Sequence, residues 1–170
     1  MSLRLERTEP KSTGCTLQLR LERTKPKLHK QEEKVMKKSG ILNADISRVL
    51  SYMGHTDTIA VGDCGLPIPE ETERIDLALV KGTPSFMEVL RAVAADMKIE
   101  KIVLAEEIKD KNPKVLREIM ELFTDSETGF KIEYVPHDEL KQRTKTCKAV
   151  IRSGETTPYA NIILQSACLF

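Results

Sequence analysis

The most constraining feature of this chain is a regular alternation of short apolar segments with amphipathic segments between residues 43 and 164. Short apolar or alternating segments predict strands, and apolar residues spaced three and four positions apart predict helices. The predicted strands are Thr58–Val61, Asp76–Val80, Lys101–Ala105, Lys131–Val135, Ala149–Arg152 and Asn161–Leu164. Strands separated by helices favour an α/β fold: a three-layer sandwich with a mostly parallel central sheet flanked by helices.

Capping residues indicate where the helices begin and end. Asn43 can cap the first helix, and Gly54 is expected to close that helix in a left-handed conformation. Ser85, with Glu88 three residues later, has the pattern of a capping box. Asp138 is expected to cap the last helix, which leaves His137 in the preceding loop.

The first 35 residues differ in composition from the rest. They contain nine Lys or Arg and five Asp or Glu, which leaves 18 basic and 21 acidic residues for the remainder of a chain whose net charge is +1. They repeat Leu-Arg-Leu-Glu-Arg-Thr and contain no Phe, Tyr or Trp. We therefore predict a basic, flexible extension over residues 1–35 and a folded domain over 36–170. Without stacking residues or a dense basic run, no nucleic acid is expected as a partner.

Several functional classes lack support. The longest nearly apolar stretch, residues 160–170, is shorter than the roughly 20 residues of a membrane helix, and charged residues interrupt the N-terminus where a secretory signal would be apolar. We expect a cytoplasmic protein with no membrane partner. The four cysteines are widely spaced, and no histidine pair has metal-ligand spacing. No P-loop or dinucleotide fingerprint occurs, so neither a metal nor a cofactor is expected.

Candidate catalytic residues cluster near predicted strand ends. Asp63, Glu106 and His137 each follow a strand, and ligands of parallel sheets bind beyond the carboxyl ends of strands. His55 and His137 are the histidines outside the extension, and imidazole is the side chain suited to proton transfer near neutral pH. One short strand separates His55 from Asp63, and a His and a carboxylate at this spacing can face one pocket across a strand.

The segment Pro158-Tyr159-Ala160-Asn161 adds a phenol and an amide beside a turn. Such donors and acceptors bind sugar hydroxyl groups. The residues alone leave other readings open: His55 as a residue that ends a helix, Asp63 as a turn former, and Tyr159 with Asn161 as a structural turn. They support a polar His/Asp/Tyr/Asn site on an α/β domain.

Longer motifs carry a resemblance to a known family. The chain from Met36 to Phe170 resembles the ribose pyranase and fucose mutarotase family in Gly54-His55-Thr56-Asp57-Thr58, Asp63-Cys64-Gly65-Leu66-Pro67-Ile68-Pro69, Gly82-x-Pro84-Ser85-Phe86, and Ile151-Arg152-Ser153-Gly154-Glu155 with Pro158-Tyr159-Ala160-Asn161-Ile162-Ile163-Leu164. The resemblance implies an isomerase that interconverts the pyranose and furanose forms of D-ribose by acid–base ring opening and reclosure, beside ribose import and phosphorylation. The alternatives are a non-catalytic sugar-binding or regulatory subunit, and a mutarotase for fucose or another monosaccharide.

The same resemblance implies the site and the assembly. It assigns proton donation to His55 and sugar binding to Asp63, His137, Tyr159, Ala160 and Asn161. It also implies a ring-shaped homo-oligomer, a decamer of two stacked five-membered rings, with each pocket between neighbouring subunits.

Overall fold

The computed structural model describes residues 37–124 and 130–168; the predicted extension over 1–35 lies outside them. The strands are β1 (Thr58–Gly62), β2 (Glu73–Asp76), β3 (Ile99–Ala105), β4 (Lys131–Val135), β5 (Ala149–Arg152) and β6 (Ile162–Ser166). The helices are α1 (Ala44–Tyr52), α2 (Phe86–Asp96), α3 (Ile108–Lys111), α4 (Pro113–Thr124) and α5 (His137–Arg143), and a 3-10 turn follows at Thr144–Thr146. No helix in this part of the chain is long and apolar enough to cross a bilayer.

The strands form one sheet in the order β2-β5-β1-β6-β3-β4. β1 to β5 all run in the same direction, and β6 runs antiparallel between β1 and β3. The prediction of a mostly parallel sheet is therefore confirmed. Because β6 is inverted, the residues that precede it lie at the same sheet edge as the residues that follow β1, β3, β4 and β5.

Helices cover both faces of the sheet, as the three-layer prediction required. One face packs against α1, α2 and α4, whose fully buried side chains include Phe86, Leu90 and Ile119. The other face packs against α5 through the fully buried Leu140, which shares a second core with Val103 of β3. With apolar residues on both of its faces, the sheet is fixed in position relative to the helices.

Two predicted caps are present. The Asn43 side chain accepts a hydrogen bond of 2.9 Å from the Ile46 N–H at the start of α1. At the start of α2, the Ser85 hydroxyl accepts the Glu88 N–H while the Glu88 carboxylate accepts the Ser85 N–H, which completes a capping box. These side chains satisfy backbone donors that the first turn of a helix leaves free.

The prediction that Gly54 closes α1 in a left-handed conformation is wrong. Met53 is the residue that caps α1, and its N–H donates to the Val49 and Leu50 carbonyls. The left-handed residue in this loop is Thr56, with φ 71°. Gly54 instead donates its N–H to the Asp57 carboxylate at 2.9 Å, so a side chain from within the loop closes the turn.

The predicted strand Asp76–Val80 is also wrong. β2 spans Glu73–Asp76, and its last residue pairs with Arg152, the last residue of β5. Beyond that point no neighbouring strand remains to pair with, and the chain turns back on itself in a loop. Leu79 and Val80 are 79% and 61% exposed in that loop, although their apolar character suggested a buried strand.

The start of α5 differs from the prediction as well. His137 is the first residue of the helix rather than a loop residue, and Asp138 lies in the first turn rather than at the cap. Pro136 precedes the helix and offers no capping side chain. The Glu107 carboxylate, from the loop after β3, accepts the His137 N–H at 3.0 and 3.1 Å and so caps α5 from another element.

Candidate active site

A cavity of about 320 Å³, called the polar cavity here after the carboxylate, amide, phenol and imidazole groups in its lining, lies at the carboxyl edge of the parallel strands. It is lined by the loop after β1, the start of α5 and the loop before β6, contributed by Asp63, Cys64, Gly65, Leu66, Pro67, His137, Glu155, Thr156, Thr157, Pro158, Tyr159 and Asn161. Four predicted site residues, Asp63, His137, Tyr159 and Asn161, therefore meet at one cavity. The inverted β6 explains this, because it places Tyr159 and Asn161 at the edge where β1 ends.

Asp63 and Asn161 form a reciprocal pair. The Asn161 amide oxygen accepts the Asp63 N–H at 3.0 Å, and the Asn161 amide nitrogen donates to the Asp63 carboxylate at 2.8 Å. The second carboxylate oxygen accepts the Gly65 N–H at 2.9 Å. Asn161 is 1% exposed, so the pair is anchored in the protein while the carboxylate borders the cavity. A carboxylate held this way can accept hydrogen bonds from sugar hydroxyl groups.

Gly62, the last residue of β1, makes this pairing possible. A Cβ atom at that position would lie 2.6 Å from the Leu66 side chain and 2.9 Å from the Asn161 amide oxygen. Any larger residue would therefore push Asn161 away from Asp63.

His137 and Tyr159 also line the cavity and contact each other. Their rings meet edge to face, with centroids 5.0 Å apart and an interplanar angle of 81°. The buried Nδ1 atom of His137 has no hydrogen-bond partner in the described part of the chain. Buried polar atoms are normally paired, so this nitrogen is an exception to the usual pattern. Glu106, which was expected at this edge, is exposed and does not line the cavity.

The loop before β6 is held in place by Glu155 and Asn112, which are not among the predicted site residues. The Glu155 carboxylate accepts the N–H groups of Thr156 and Thr157 and the Thr157 hydroxyl. The Asn112 amide donates to Thr157 and to the Pro158 carbonyl. Asn112 could be recognised from the sequence as a helix cap, but its contact with residue 157 joins positions 45 residues apart.

Ala160 lies behind the cavity rather than in it. Its side chain is completely buried in the apolar core, and it is not among the lining residues. The whole residue, backbone included, is buried in the single chain, and its sugar-binding role stays a prediction.

His55 lies at the opposite end of β1 from Asp63, so within this chain the two side chains do not face one pocket. His55 precedes β1 and Asp63 follows it. A five-residue strand spans roughly 17 Å at about 3.3 Å per residue. His55 lines a separate cavity of about 420 Å³, with Met53, Met97 and Ser166 among its neighbours. A spacing of eight residues can bring two side chains together across a turn, but not along a strand.

The loop that carries His55 is fixed to the sheet. The Thr56 N–H donates to the Ser166 carbonyl at 3.1 Å, and the Ser166 N–H donates to the Asp57 carbonyl at 2.9 Å. The imidazole is half exposed, and its Nε2 atom lies 3.0 Å from a carboxylate oxygen of Glu100. This hydrogen bond holds the pKa of the Glu100 carboxyl below its usual value. The described residues contain no group of three or more His, Cys, Asp or Glu arranged to hold a metal ion.

A carboxylate, an amide, a phenol and an imidazole around one cavity at the carboxyl edge of the strands define an α/β domain suited to a small, polyhydroxylated ligand. Residues 36–169 match the model of the RbsD / FucU transport protein family. The chain belongs to that family.

Two curated relatives align with the same part of this chain. A D-ribose pyranase of Geobacillus kaustophilus is 56% identical over 135 residues, which are 79% of this chain and 96% of the relative. A D-ribose pyranase of Clostridium perfringens is 52% identical over 79% of this chain and all of the relative.

Solved structures agree on the fold. The structure of Bacillus subtilis RbsD complexed with D-ribose is 45% identical, with a TM-score of 0.75 over 79% of this chain and all of that one. The fucose mutarotase from Streptococcus pneumoniae in complex with L-fucose is 23% identical, with a TM-score of 0.65 over 75% of this chain and 94% of that one, and shares the fold.

Proposed function

We propose that this protein is an isomerase that interconverts the pyranose and furanose forms of D-ribose. The observation that carries the proposal is the cavity in which Asp63, Asn161, Tyr159 and His137 converge, in a chain 52% identical to a full-length D-ribose pyranase. The 45% identical relative solved with D-ribose supports the choice of sugar. Such an enzyme would act in the cytoplasm, between ribose import and phosphorylation.

The reaction needs proton transfers together with the breaking and re-forming of one bond between C1 and oxygen. A hemiacetal ring opens when the anomeric hydroxyl loses a proton and the ring oxygen gains one, and it recloses when a different hydroxyl attacks the same carbon. An imidazole can perform both transfers near neutral pH. In this proposal His55 donates the proton to the ring oxygen, and the residues of the polar cavity bind the sugar hydroxyl groups. No cofactor enters the reaction.

The site is composite in this proposal: His55 of one subunit completes the polar cavity of the next. The length of β1 supports this arrangement, because it separates His55 from Asp63 within one chain. When one surface of a subunit contacts a different surface of the next subunit, the assembly is a closed ring if the repeated rotation adds up to a full turn. The decamer of two stacked five-membered rings is the assembly proposed here.

The His55 cavity and the polar cavity are the two half-sites of the proposed composite site. Exposed apolar side chains next to both half-sites support the same assembly. Tyr52 is 81% exposed at the end of α1, directly before the residues that line the His55 cavity. Leu79 and Val80 are exposed in a loop that borders Cys64 and Thr156, which also line the polar cavity. Large exposed apolar side chains that adjoin a site mark surfaces suited to protein contact.

The test is magnetisation transfer by NMR between the pyranose and furanose signals of D-ribose. We expect the wild type to accelerate the exchange and His55→Ala to lose most of that acceleration, since general acid–base catalysis contributes about 10²–10⁴-fold. His29→Ala, the same substitution within the predicted extension, is the matched control and should behave as wild type. Ribose binding without accelerated exchange would instead indicate a sugar-binding subunit, and acceleration of fucose alone would indicate a mutarotase.

A further inference from the structure

β3 contains a one-residue bulge at Glu100. Ile99 pairs with Ser166 and Lys101 pairs with Gln165, so three residues of β3 oppose two residues of β6. Bulges interrupt the regular alternation of side chains, and they often redirect a side chain beside an active site.

The bulge allows the Glu100 side chain to contact residues on the face of the sheet that Lys101 and Gln165 share. Lys101 and Gln165 are directly paired and therefore share one face of the sheet, so regular alternation would place Glu100 on the other face. Glu100 nevertheless accepts a hydrogen bond from the Gln165 amide and lies 3.0 Å from the Nε2 atom of His55. One carboxylate thus contacts both residues, one oxygen on each.

We propose that Glu100, aimed by this bulge and held by Gln165, is a positioning residue for His55: it binds the Nε2–H group and leaves Nδ1 as the nitrogen that moves the proton. This role rests on the proposed function, because it requires His55 to contact the sugar. Within residues 37–124 and 130–168, Glu100 is the hydrogen-bond partner found for the imidazole, and it engages Nε2 alone. The Nδ1 lone pair of the neutral ring is therefore free to act as the base.

A single nitrogen suffices for the ring opening. Nδ1 removes the proton of the anomeric hydroxyl as the carbonyl double bond forms at C1. The bond between C1 and the ring oxygen breaks, its electron pair stays on that oxygen, and Nδ1 returns the proton there. Both oxygens are bonded to C1, so the imidazole need not move far between the two transfers. Reclosure reverses these steps with another sugar hydroxyl as the nucleophile.

Glu100 acts on His55 in two ways during this cycle. Its hydrogen bond to Nε2 fixes the tautomer and the orientation of the ring. Residues that are hydrogen-bonded to a reacting group without contacting the substrate generally have this effect. Its negative charge stabilises the imidazolium that exists between the two proton transfers. The lowered pKa of the Glu100 carboxyl is consistent with this role, because the group stays ionised near neutral pH.

The experiment compares wild type, Glu100→Ala and Glu100→Gln by kcat and KM for ribose exchange and by ¹⁵N NMR of the His55 ring, assigned with His55→Ala. Glu118→Gln is the matched control, because Glu118 is a partly exposed carboxylate that pairs with Arg91 and not with His55. We expect the Nε2–H tautomer in wild type and its loss in Glu100→Ala. Loss of a supporting partner of this kind lowers activity about 10–100-fold, and we expect this in kcat with KM unchanged.

Glu100→Gln separates the two contributions. Its amide oxygen can still accept the Nε2–H group, so the tautomer is retained while the charge is lost, and kcat should fall between wild type and Glu100→Ala. A wild-type kcat in Glu100→Ala, or an Nδ1–H tautomer in the unsubstituted protein, would overturn the positioning role. Absence of exchange by wild type itself would overturn the proposed function and this role with it, and it is distinguishable because no substitution is involved.

Discussion

A subunit-mixing experiment tests whether each site draws residues from two chains. The first subunit carries both His55→Ala and Asp63→Ala, and the second is wild type. In the structure these residues lie at opposite edges of the sheet, separated by the roughly 17 Å length of β1. The double substitution therefore damages two different sites if sites are shared between subunits, but only one site if they are not.

The expected magnitude follows from this geometry. In an equal, random mixture, a shared site is intact only when both contributing subunits are wild type, which holds for about one quarter of sites. A site made within one chain is intact in every wild-type subunit, which is about half of all sites. Mixing His55→Ala with Asp63→Ala sharpens the contrast, because shared sites recover about one quarter of the full activity and single-chain sites recover none.

Co-expression with two different affinity tags yields mixed assemblies, and the exchange rate is then measured by magnetisation transfer. Mixing His55→Ala alone with wild type is the control, because about half of the sites survive under either arrangement. Each variant is checked by circular dichroism and by its assembled size, so that loss of fold is not mistaken for loss of a site. Mixed assemblies of His55→Ala and Asp63→Ala with no activity above either parent would refute the shared site.

Two further predictions concern stability. Gly154→Ala should destabilise the fold by about 3 kcal/mol, at the upper end for overpacking. The added Cβ would lie 2.4 Å from the Thr83 carbonyl oxygen and 2.5 Å from the Thr83 nitrogen. Urea unfolding measures the loss, and Gly54→Ala is the control because its Cβ would meet nothing closer than 3.8 Å. Burial alone would raise the pKa of Glu155, but hydrogen bonds from Thr157 and Thr156 lower it below the ordinary value of 4.5. Its contribution to stability is therefore fully present above that pH and is lost as the pH falls through the lower folded-state value. Unfolding measured from neutral to acidic pH should show this loss in wild type and not in Glu155→Gln; parallel curves for the two proteins would contradict it.

The sequence predicted the site residues that directly follow or precede a strand. Asp63 follows a buried strand that begins at Thr58, and Tyr159 and Asn161 precede another, so each could be assigned to a strand end from the apolar segments alone. The sequence could not show that β6 is inverted, because strand direction depends on the connection through space and not on the apolar pattern. Without that direction, neither the pairing of Asp63 with Asn161 nor the separation of His55 could be derived.

Contacts between residues far apart in the sequence could not be predicted for the same reason. The Glu100 carboxylate approaches His55 across 45 positions and Gln165 across 65. It does so through a bulge that consists of one extra residue in β3, and such an insertion leaves no mark in an apolar pattern this short. The error over Asp76–Val80 has a related cause, since an apolar run was assigned to the core although the neighbouring strand had already ended at Arg152.

The inverted strand also connects the two half-sites physically. β6 begins beside Asn161, which holds Asp63 at the polar cavity, and it ends at Gln165 and Ser166, which hold Glu100 and the His55 loop. One strand in the middle of the sheet therefore fixes the polar cavity and the His55 loop of a subunit at a set separation. In the proposed ring of identical subunits, a rigid separation of that kind would bring every His55 to a neighbouring cavity in the same way. Substitutions that loosen β6 should consequently impair both half-sites together, whereas substitutions at Glu100 or at Asp63 should impair only one.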